Sequence, residues 1–449
     1  MKKLTKIMLA ASLVLSSAFA FAGCGSSDML TDQPNVGIEQ GVSDQIGSYS
    51  PIAYYELGRP ADVKINFEAD KIQKVSFKYN VLDSDDYSLK KDVLTIKKKV
   101  FENETAGDKR IRVFVGNKYV EITVRVATKV IYTTADFNSI RNDLNGVYVL
   151  GADIDFANQA FWPIGKPVKE GEDTGTFEGI LDGMGYSVKN ITINTYDRAE
   201  GEDEWGQGPV LGGEQGNGGN YTNGIFMSTS GNAQIINTNF VNITVYGQGM
   251  SGAIAGFNGG LIKNCMVSCT LNSHGWFEKA GGICGVNGSV DAYGRIENCI
   301  VTYNAGSGYT PRGIADWNAG LISNCYAAPV NNYVFHIGYD KETGKVPDDF
   351  DYDDFINARL SYYAEHEERD GDGNIIKGFE ICFGYPTLVA LPGSMDNGNF
   401  YKGGDIKNSE IVVKEFLLDP DNFTKENGWD SSVWEFSYGA YPTLKLQSK

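Results

Sequence analysis

The sequence predicts an all-β protein organised around a parallel β-helix with a cap at each end, preceded by a small β-sandwich. Three observations predict it. Between residues 223 and 326 one phrase recurs four times with drift: Ala233-Gln234-Ile235-Ile236-Asn237-Thr238, Gly260-Leu261-Ile262-Lys263-Asn264-Cys265, Gly294-Arg295-Ile296-Glu297-Asn298-Cys299 and Gly320-Leu321-Ile322-Ser323-Asn324-Cys325. The Asn positions stand 27, 34 and 26 residues apart, a period that signals a solenoid. A second phrase precedes each copy: Gly224-Ile225-Phe226, Ala253-Ile254-Ala255-Gly256-Phe257-Asn258, Gly282-Ile283-Cys284-Gly285-Val286-Asn287 and Gly313-Ile314-Ala315-Asp316-Trp317-Asn318. Each copy consists of short β-rich runs separated by Gly and Asn, with no helical period.

Stacked short strands bury their inward side chains on the copy below, so equivalent positions line up in columns. Asn190, Asn237, Asn264, Asn298 and Asn324 are expected to form one amide ladder at a turn. Thr238, Cys265, Cys299 and Cys325 form the adjacent column of small buried side chains. The recurring glycines are expected at corners that need positive φ. The two phrases around Cys284 and Cys299 resemble the GLUG motif, a repeat of bacterial surface proteins that also occurs beside the catalytic domain of some IgA-cleaving metalloproteases. The resemblance spans roughly residues 130 to 330 and implies a right-handed β-helix. It implies little about function, because the motif is a structural unit and not a site.

In chain order, residues 1–23 read as an export signal. Lys2, Lys3 and Lys6 form a basic start, residues 7–21 an apolar stretch, and Phe21-Ala22-Gly23-Cys24 resembles a bacterial lipobox. The mature chain would begin at Cys24, lipid on sulfur, tethered to a membrane and facing the cell exterior. Cleavage removes three lysines and no acid, leaving 36 basic against 57 acidic residues, a net −21. Such a surface repels nucleic acid and anionic headgroups, so nucleic acid is not an expected partner and only the lipid should touch the membrane. Residues 24–50 are polar and rich in Ser, Asp, Gln and Gly, the composition of a flexible tether.

Residues 51–128 predict the separate sandwich. Ile111, Val113 and Val115 alternate with polar neighbours, as do Val120, Ile122, Val124 and Val126 after Gly116-Asn117, which is a hairpin with one buried face. Runs at 63–67, 75–79 and 93–96 supply further strands. The stretch from Asp86-Tyr87-Ser88 to Val115-Gly116-Asn117 resembles an Ig-like module attached to bacterial glycan-degrading enzymes, which implies a spacer without a site of its own.

Residues 129–330 are the predicted β-helix. A helix should start at Thr133 or Thr134, with Phe137, Ile140 and Leu144 on one face, and lid the open end. Segments 146–156, 162–165 and 177–191 continue as opening rungs, the last carrying Asn190. Residues 196–222 interrupt the pattern with an acidic, then Gly-rich, insertion holding Trp205 and ending at Tyr221. Residues 331–449 form the closing cap. There Phe383-Gly384-Tyr385-Pro386-Thr387-Leu388 and Gly439-Ala440-Tyr441-Pro442-Thr443-Leu444 are near-copies, expected as closing rungs.

The chemistry is sparse. Of the seven cysteines, four of the six beyond Cys24 fall at inward repeat positions, which favours free buried thiols over a disulfide framework. A metal at Cys265 and Cys269 would need a second pair, and the chain has only His274, His336 and His366. Asp370-Gly371-Asp372-Gly373-Asn374 matches the first, third and fifth ligand positions of an EF-hand loop, but Ile375 and Ile381 stand where Gly and Glu are required. A Ca²⁺-binding turn of Asp370, Asp372 and Asn374 is the reduced form of that reading. Polysaccharide lyases and hydrolases on β-helices need clustered carboxylates. Asp153, Asp155, Asp182, Asp291 and Asp316 are the inward candidates, and no triple-Asp constellation stands out. Three readings follow: a non-catalytic binding or adhesion protein for glycans or surface proteins, using Trp205, Tyr221, Trp276, Tyr309 and Trp317; a glycan-active lyase or hydrolase; and a structural scaffold.

Overall fold

The computed structural model describes residues 39–165, 175–194, 222–247, 250–273, 279–289, 292–308, 312–330, 368–369, 375–377, 391–392, 394–396, 399–401, 405–412 and 414–446. The described chain is all-β with brief helical turns. It opens with two sheets over one apolar core. One is antiparallel and orders Ile46–Tyr49, Val63–Ala69, Val93–Ile96 and Tyr87–Lys90. The other is built on the predicted hairpin, Gly107–Val115 with Lys118–Ala127, closed where Val115 faces Lys118. Gly116 sits there at φ 64°, a conformation glycine adopts without steric cost. Phe67, Val75, Leu94, Ile111, Val113 and Ile122 alternate inward and are fully buried. The tether expectation fails at its end: Glu39–Gln40 pairs with Lys118–Ala127, and Ile46–Tyr49 pairs with Val63–Ala69. Buried Ile46 anchors an otherwise polar segment, which composition alone does not reveal.

From Lys129 onward the sheets are parallel and follow chain order. Val147–Leu150, Ile180–Asp182, Gln234–Gly247, Leu261–Ser273, Arg295–Glu297, Leu321–Ser323 and Asp405–Lys407 pair in succession. Phe226–Thr229, Ala255–Asn258, Cys284–Asn287 and Ala315–Asn318 form a second parallel series. The registers align columns of identical chemistry: Leu181, Ile235, Ile262, Ile296 and Ile322 are all fully buried. Each column buries apolar area against the next copy, at roughly 25 cal/mol per Å².

The expected Asn ladder divides. Asn264 Nδ2 donates to Asn237 Oδ1 (3.0 Å), and Asn237 Nδ2 to Asp182 Oδ1 (3.1 Å). Asn324 Nδ2 donates to Asn298 Oδ1 (3.2 Å), while Asn298 Nδ2 turns to the Gly428 carbonyl (3.1 Å). Asn190 does not begin this ladder. Strand Ser187–Asn194 pairs 52 residues ahead, not the 54 of Ile180–Asp182, so Asn190 faces Asn242. Asn242 Nδ2 donates to Asn190 Oδ1 (2.8 Å), and Asn190 Nδ2 to Asp155 Oδ1 (2.9 Å). A third ladder is wholly buried: Thr229 Oγ1 donates to Asn258, Asn258 to Asn287 and Asn287 to Asn318, at 2.8, 2.8 and 2.7 Å.

The roles of Asn and Gly are exchanged from expectation. Asn190, Asn237, Asn242, Asn264, Asn298, Asn324 and Asn408 have φ between 47° and 58°. Asn tolerates that left-handed region because its short amide bonds locally. The glycines of the repeat serve close approach instead: a Cβ on Gly294 would overlap Asn258 O, and one on Gly320 would overlap Gly294 O.

The cap helix Thr134–Asn138 carries the expected Thr133 N-cap in a full capping box with Asp136, and continues as a 3₁₀ turn Ser139–Asn142. Phe137 and Ile140 are buried in the main core. At the other end Asp405-Ile406-Lys407-Asn408-Ser409 is a further copy of the repeat, with Asn408 Nδ2 donating to Asn324 Oδ1 (3.2 Å). Gly439 to Leu444 is not a closing rung. Ala440–Leu444 pairs antiparallel with Trp434–Ser437, and Trp429, Trp434 and Phe423 pack on the outward column of Met266, Ile300 and Tyr326. Residues 383–388 lie outside the described residues.

A candidate ligand-binding hollow

Most of the aromatic and calcium candidates, namely Trp205, Tyr221, Trp276, Tyr309, Asp370, Asp372 and Asn374, lie outside the described residues, as do Cys24 and Asp291. Trp317 is half-buried in strand Ala315–Asn318, facing Val286 of the previous copy.

The remaining carboxylate candidates are each committed to local structure. Asp153 Oδ1 accepts from Ser187 N (2.9 Å) and Oδ2 from Lys189 Nζ (3.4 Å). Asp155 accepts from Ala157 N (2.8 Å) and from Asn190, bonds that hold its pKa down. Asp182 is fully buried, bonded to Arg125 Nη1, Met184 N (3.0 Å) and Asn237 Nδ2. Asp316 forms a buried ion pair with Arg312 (3.7 Å) at positions where earlier copies carry Gly256, Gly285 and Gly281. Among the described residues no group of three His, Cys, Asp or Glu is arranged to hold a metal ion.

Cys265, Cys269, Cys284, Cys299 and Cys325 are free and buried, as the inward positions predict. The Sγ of Cys265, Cys299 and Cys325 each donates to the carbonyl two residues back, at 3.4, 3.3 and 3.3 Å, repeating the bond of Thr238 Oγ1 to Ile236 O (2.8 Å). Burial pushes the Cys269 thiol up to about 12 and raises Cys284, Cys299 and Cys325 as well. The five thiols fill the apolar interior.

The feature sequence reading missed is at the capped end. An open hollow of about 350 Å³ is lined by Thr134, Asn138, Arg141, Phe156 and the segment Gln159-Ala160-Phe161-Trp162. That volume is at the low end of the roughly 300–1,000 Å³ of small-molecule sites. One wall is the cap helix: Thr134, Asn138 and Arg141 share a face by their spacing of four and three, while Phe137 and Ile140 face the core. The other wall is a loop pinned by Phe161 N to Thr192 O and Ile164 N to Ile225 O, both 2.7 Å. Phe137, Phe156 and Phe161 brace its base, with ring centroids 5.2–6.2 Å apart. Trp162 stands at the rim, 40% exposed.

Arg141 ties the walls together. Its Nη1 donates to Pro163 O (2.8 Å), its Nη2 to Trp162 O and to Asn138 Oδ1 (3.2 Å), and its guanidinium lies 5.2 Å from the Phe161 centroid. Among the described residues no ion pair joins it to a carboxylate, and burial lowers its pKa. In sequence Trp162-Pro163-Ile164-Gly165 reads as part of an opening rung, which hides the exposed indole. The chain matches no protein-family model, no curated protein and no solved structure.

Proposed function

We propose that this chain is an exported lipoprotein, anchored by a lipid on Cys24, that binds glycans without cleaving them. In this reading residues 129–330 are a GLUG-type right-handed parallel β-helix, standing on an Ig-like sandwich that begins near residue 39. The successive parallel pairing and the amide ladders support the β-helix. The two-sheet core and the central hairpin support the sandwich.

The observation that carries the binding role is the hollow at Trp162. An exposed indole beside Asn138 and Gln159 amides and the Thr134 hydroxyl offers a ring face a stacking surface and the hydroxyls at its edge both donors and acceptors. Among the described residues no carboxylate lines it, which speaks against an acid/base pair for glycosidic cleavage there. The lyase or hydrolase alternative would draw on Asp153, Asp155, Asp182 and Asp316, whose present bonds speak against it.

A glycan array probed with the purified chain, with released sugars tracked by mass spectrometry, tests this. Binding without release is expected, and Trp162→Ala should abolish it at unchanged melting temperature. Release of sugars overturns the non-catalytic reading. Labelling with a palmitate analogue in a bacterial host tests the anchor, and Cys24→Ser should remove the label.

A further inference from the structure

The hollow's chemistry narrows its ligand. Arg141 is half-buried at its wall, and the net charge of the chain is −18, yet among the described residues no carboxylate pairs with this guanidinium. Arginine carries five N–H donors in one plane. Three are committed to Pro163 O, Trp162 O and Asn138 Oδ1. Among the described residues Nε–H and the second Nη1–H have no acceptor. The neighbouring side chains are neutral: Thr134, Asn138, Gln159 and three aromatics. A half-buried guanidinium in the wall of a hollow, balanced by carbonyl and amide dipoles and with two donors uncommitted, can take an anion.

We infer that the hollow takes a sugar bearing a carboxylate, the ring on Trp162 and the carboxylate on Arg141. This rests on the saccharide reading above and adds the acidic class to it. Charge-assisted bonds to carboxylate are roughly twice as strong as neutral ones, and Nε–H and the second Nη1–H can each donate one. The acidic surface elsewhere repels long polyanions, so the inference favours short acidic saccharides or chain ends over extended polymers.

The test is titration calorimetry on the full chain with two acidic probes, a hyaluronan hexasaccharide and 3′-sialyllactose, each beside its carboxyl-reduced counterpart. At least one acid should bind about tenfold or more tightly than its reduced form, a difference of about 1.4 kcal/mol. Arg141→Gln should erase that preference, and Arg141→Lys should keep part of it, since lysine offers charge without the planar fork. Trp162→Ala should lose acid and neutral forms alike. Equal binding of acid and reduced forms, lost in Trp162→Ala, overturns the acidic inference and leaves the saccharide reading standing. Binding that survives both Trp162→Ala and Arg141→Gln places the ligand elsewhere and overturns both. If the array above shows neutral glycans but neither acid binds, the inference falls alone; silence on both fails the saccharide reading itself. Arg141 also latches two carbonyls, so Arg141→Gln is read only where its melting curve matches the wild type. Otherwise the wild-type comparison of acid with reduced form decides.

Discussion

Asn258, Asn287 and Asn318 look alike in sequence to Asn237, Asn264 and Asn298, yet the two sets do different work. The first set is fully buried and bonds amide to amide through the interior. The second lies nearer the surface, and its positive φ values make backbone conformation the dominant constraint. Asn287→Ala removes the acceptor of Asn258 Nδ2 and the donor to Asn318 Oδ1, breaking the buried ladder in its middle, so a loss of about 2–3 kcal/mol is expected in urea denaturation. Asn264→Ala should cost about 1–2 kcal/mol from the left-handed backbone, while Asn264→Gly should recover most of it. An Asn264→Gly variant no more stable than Asn264→Ala would show that the side-chain bond, and not φ, governs that site. The buried thiols make a second residue-level prediction. With Cys269 held near 12 by burial and Cys284, Cys299 and Cys325 raised too, thiolate is scarce at pH 8. Iodoacetamide at that pH should leave the peptides of these four cysteines unlabelled in the native chain and label them after denaturation. Rapid native labelling of any of them would mean that its copy of the repeat opens locally.

At the scale of elements, legibility followed repetition. The Ile columns, the thiol column and the cap helix were readable because each rests on spacing: 26–34 residues between copies, or three and four within a helix turn. The copy at Asp405 to Ser409 carries the same Ile-Lys-Asn-Ser pattern, but Asn408 lies 84 residues past Asn324, beyond any period the other copies set. Asn190 falls outside the expected ladder because two strands of one copy pair at offsets of 54 and 52, a slip only the register shows. The hollow was illegible because Asn138, Arg141 and Trp162 come from a helix and a loop with no repeated counterpart. The cap helix itself predicts a pH response. Lys129 Nζ, the Thr133 hydroxyl and the Tyr132 backbone N–H hold Asp136 at about 2, against an ordinary 3.8. A carboxylate depressed in the folded state contributes stability above pH 4, lost as pH falls toward 2. Circular-dichroism melts from pH 5 to 2 should therefore decline less steeply in Asp136→Asn than in the wild type. At pH 7 that variant should be less stable by about 1 kcal/mol, the worth of a capping interaction. Parallel pH slopes for the two chains would remove Asp136 from the acid response.

Across the whole described chain the sandwich sheets and the parallel sheets are fused rather than strung together. Strand Lys118–Ala127 runs directly into Lys129–Ile131, and Ala127, Val149 and Met184 form a small core where the two parts meet, flanked by Ile52, Tyr54 and Tyr186. Arg125 crosses this junction, bonding Asp108 on its own sheet at 2.8 and 3.0 Å and Asp182 on the parallel side, with only 5% of its side chain exposed. A buried charge that loses its partner costs about 3–5 kcal/mol, whereas replacing the pair by neutral groups is often tolerated. Arg125→Met should accordingly be strongly destabilising, because Asp182 would keep only the Met184 N–H and the Asn237 amide around a fully buried carboxylate. The double variant Arg125→Met with Asp182→Asn should regain at least half of the loss, since a neutral amide can still accept from Asn237. Scanning calorimetry should show one transition for the wild type. It should show two for Arg125→Met, the parallel sheets melting apart from the sandwich. A single transition in the variant, or a double variant no more stable than Arg125→Met, would mean that apolar contact at Ala127, Val149 and Met184 joins the two parts and the ion pair does not.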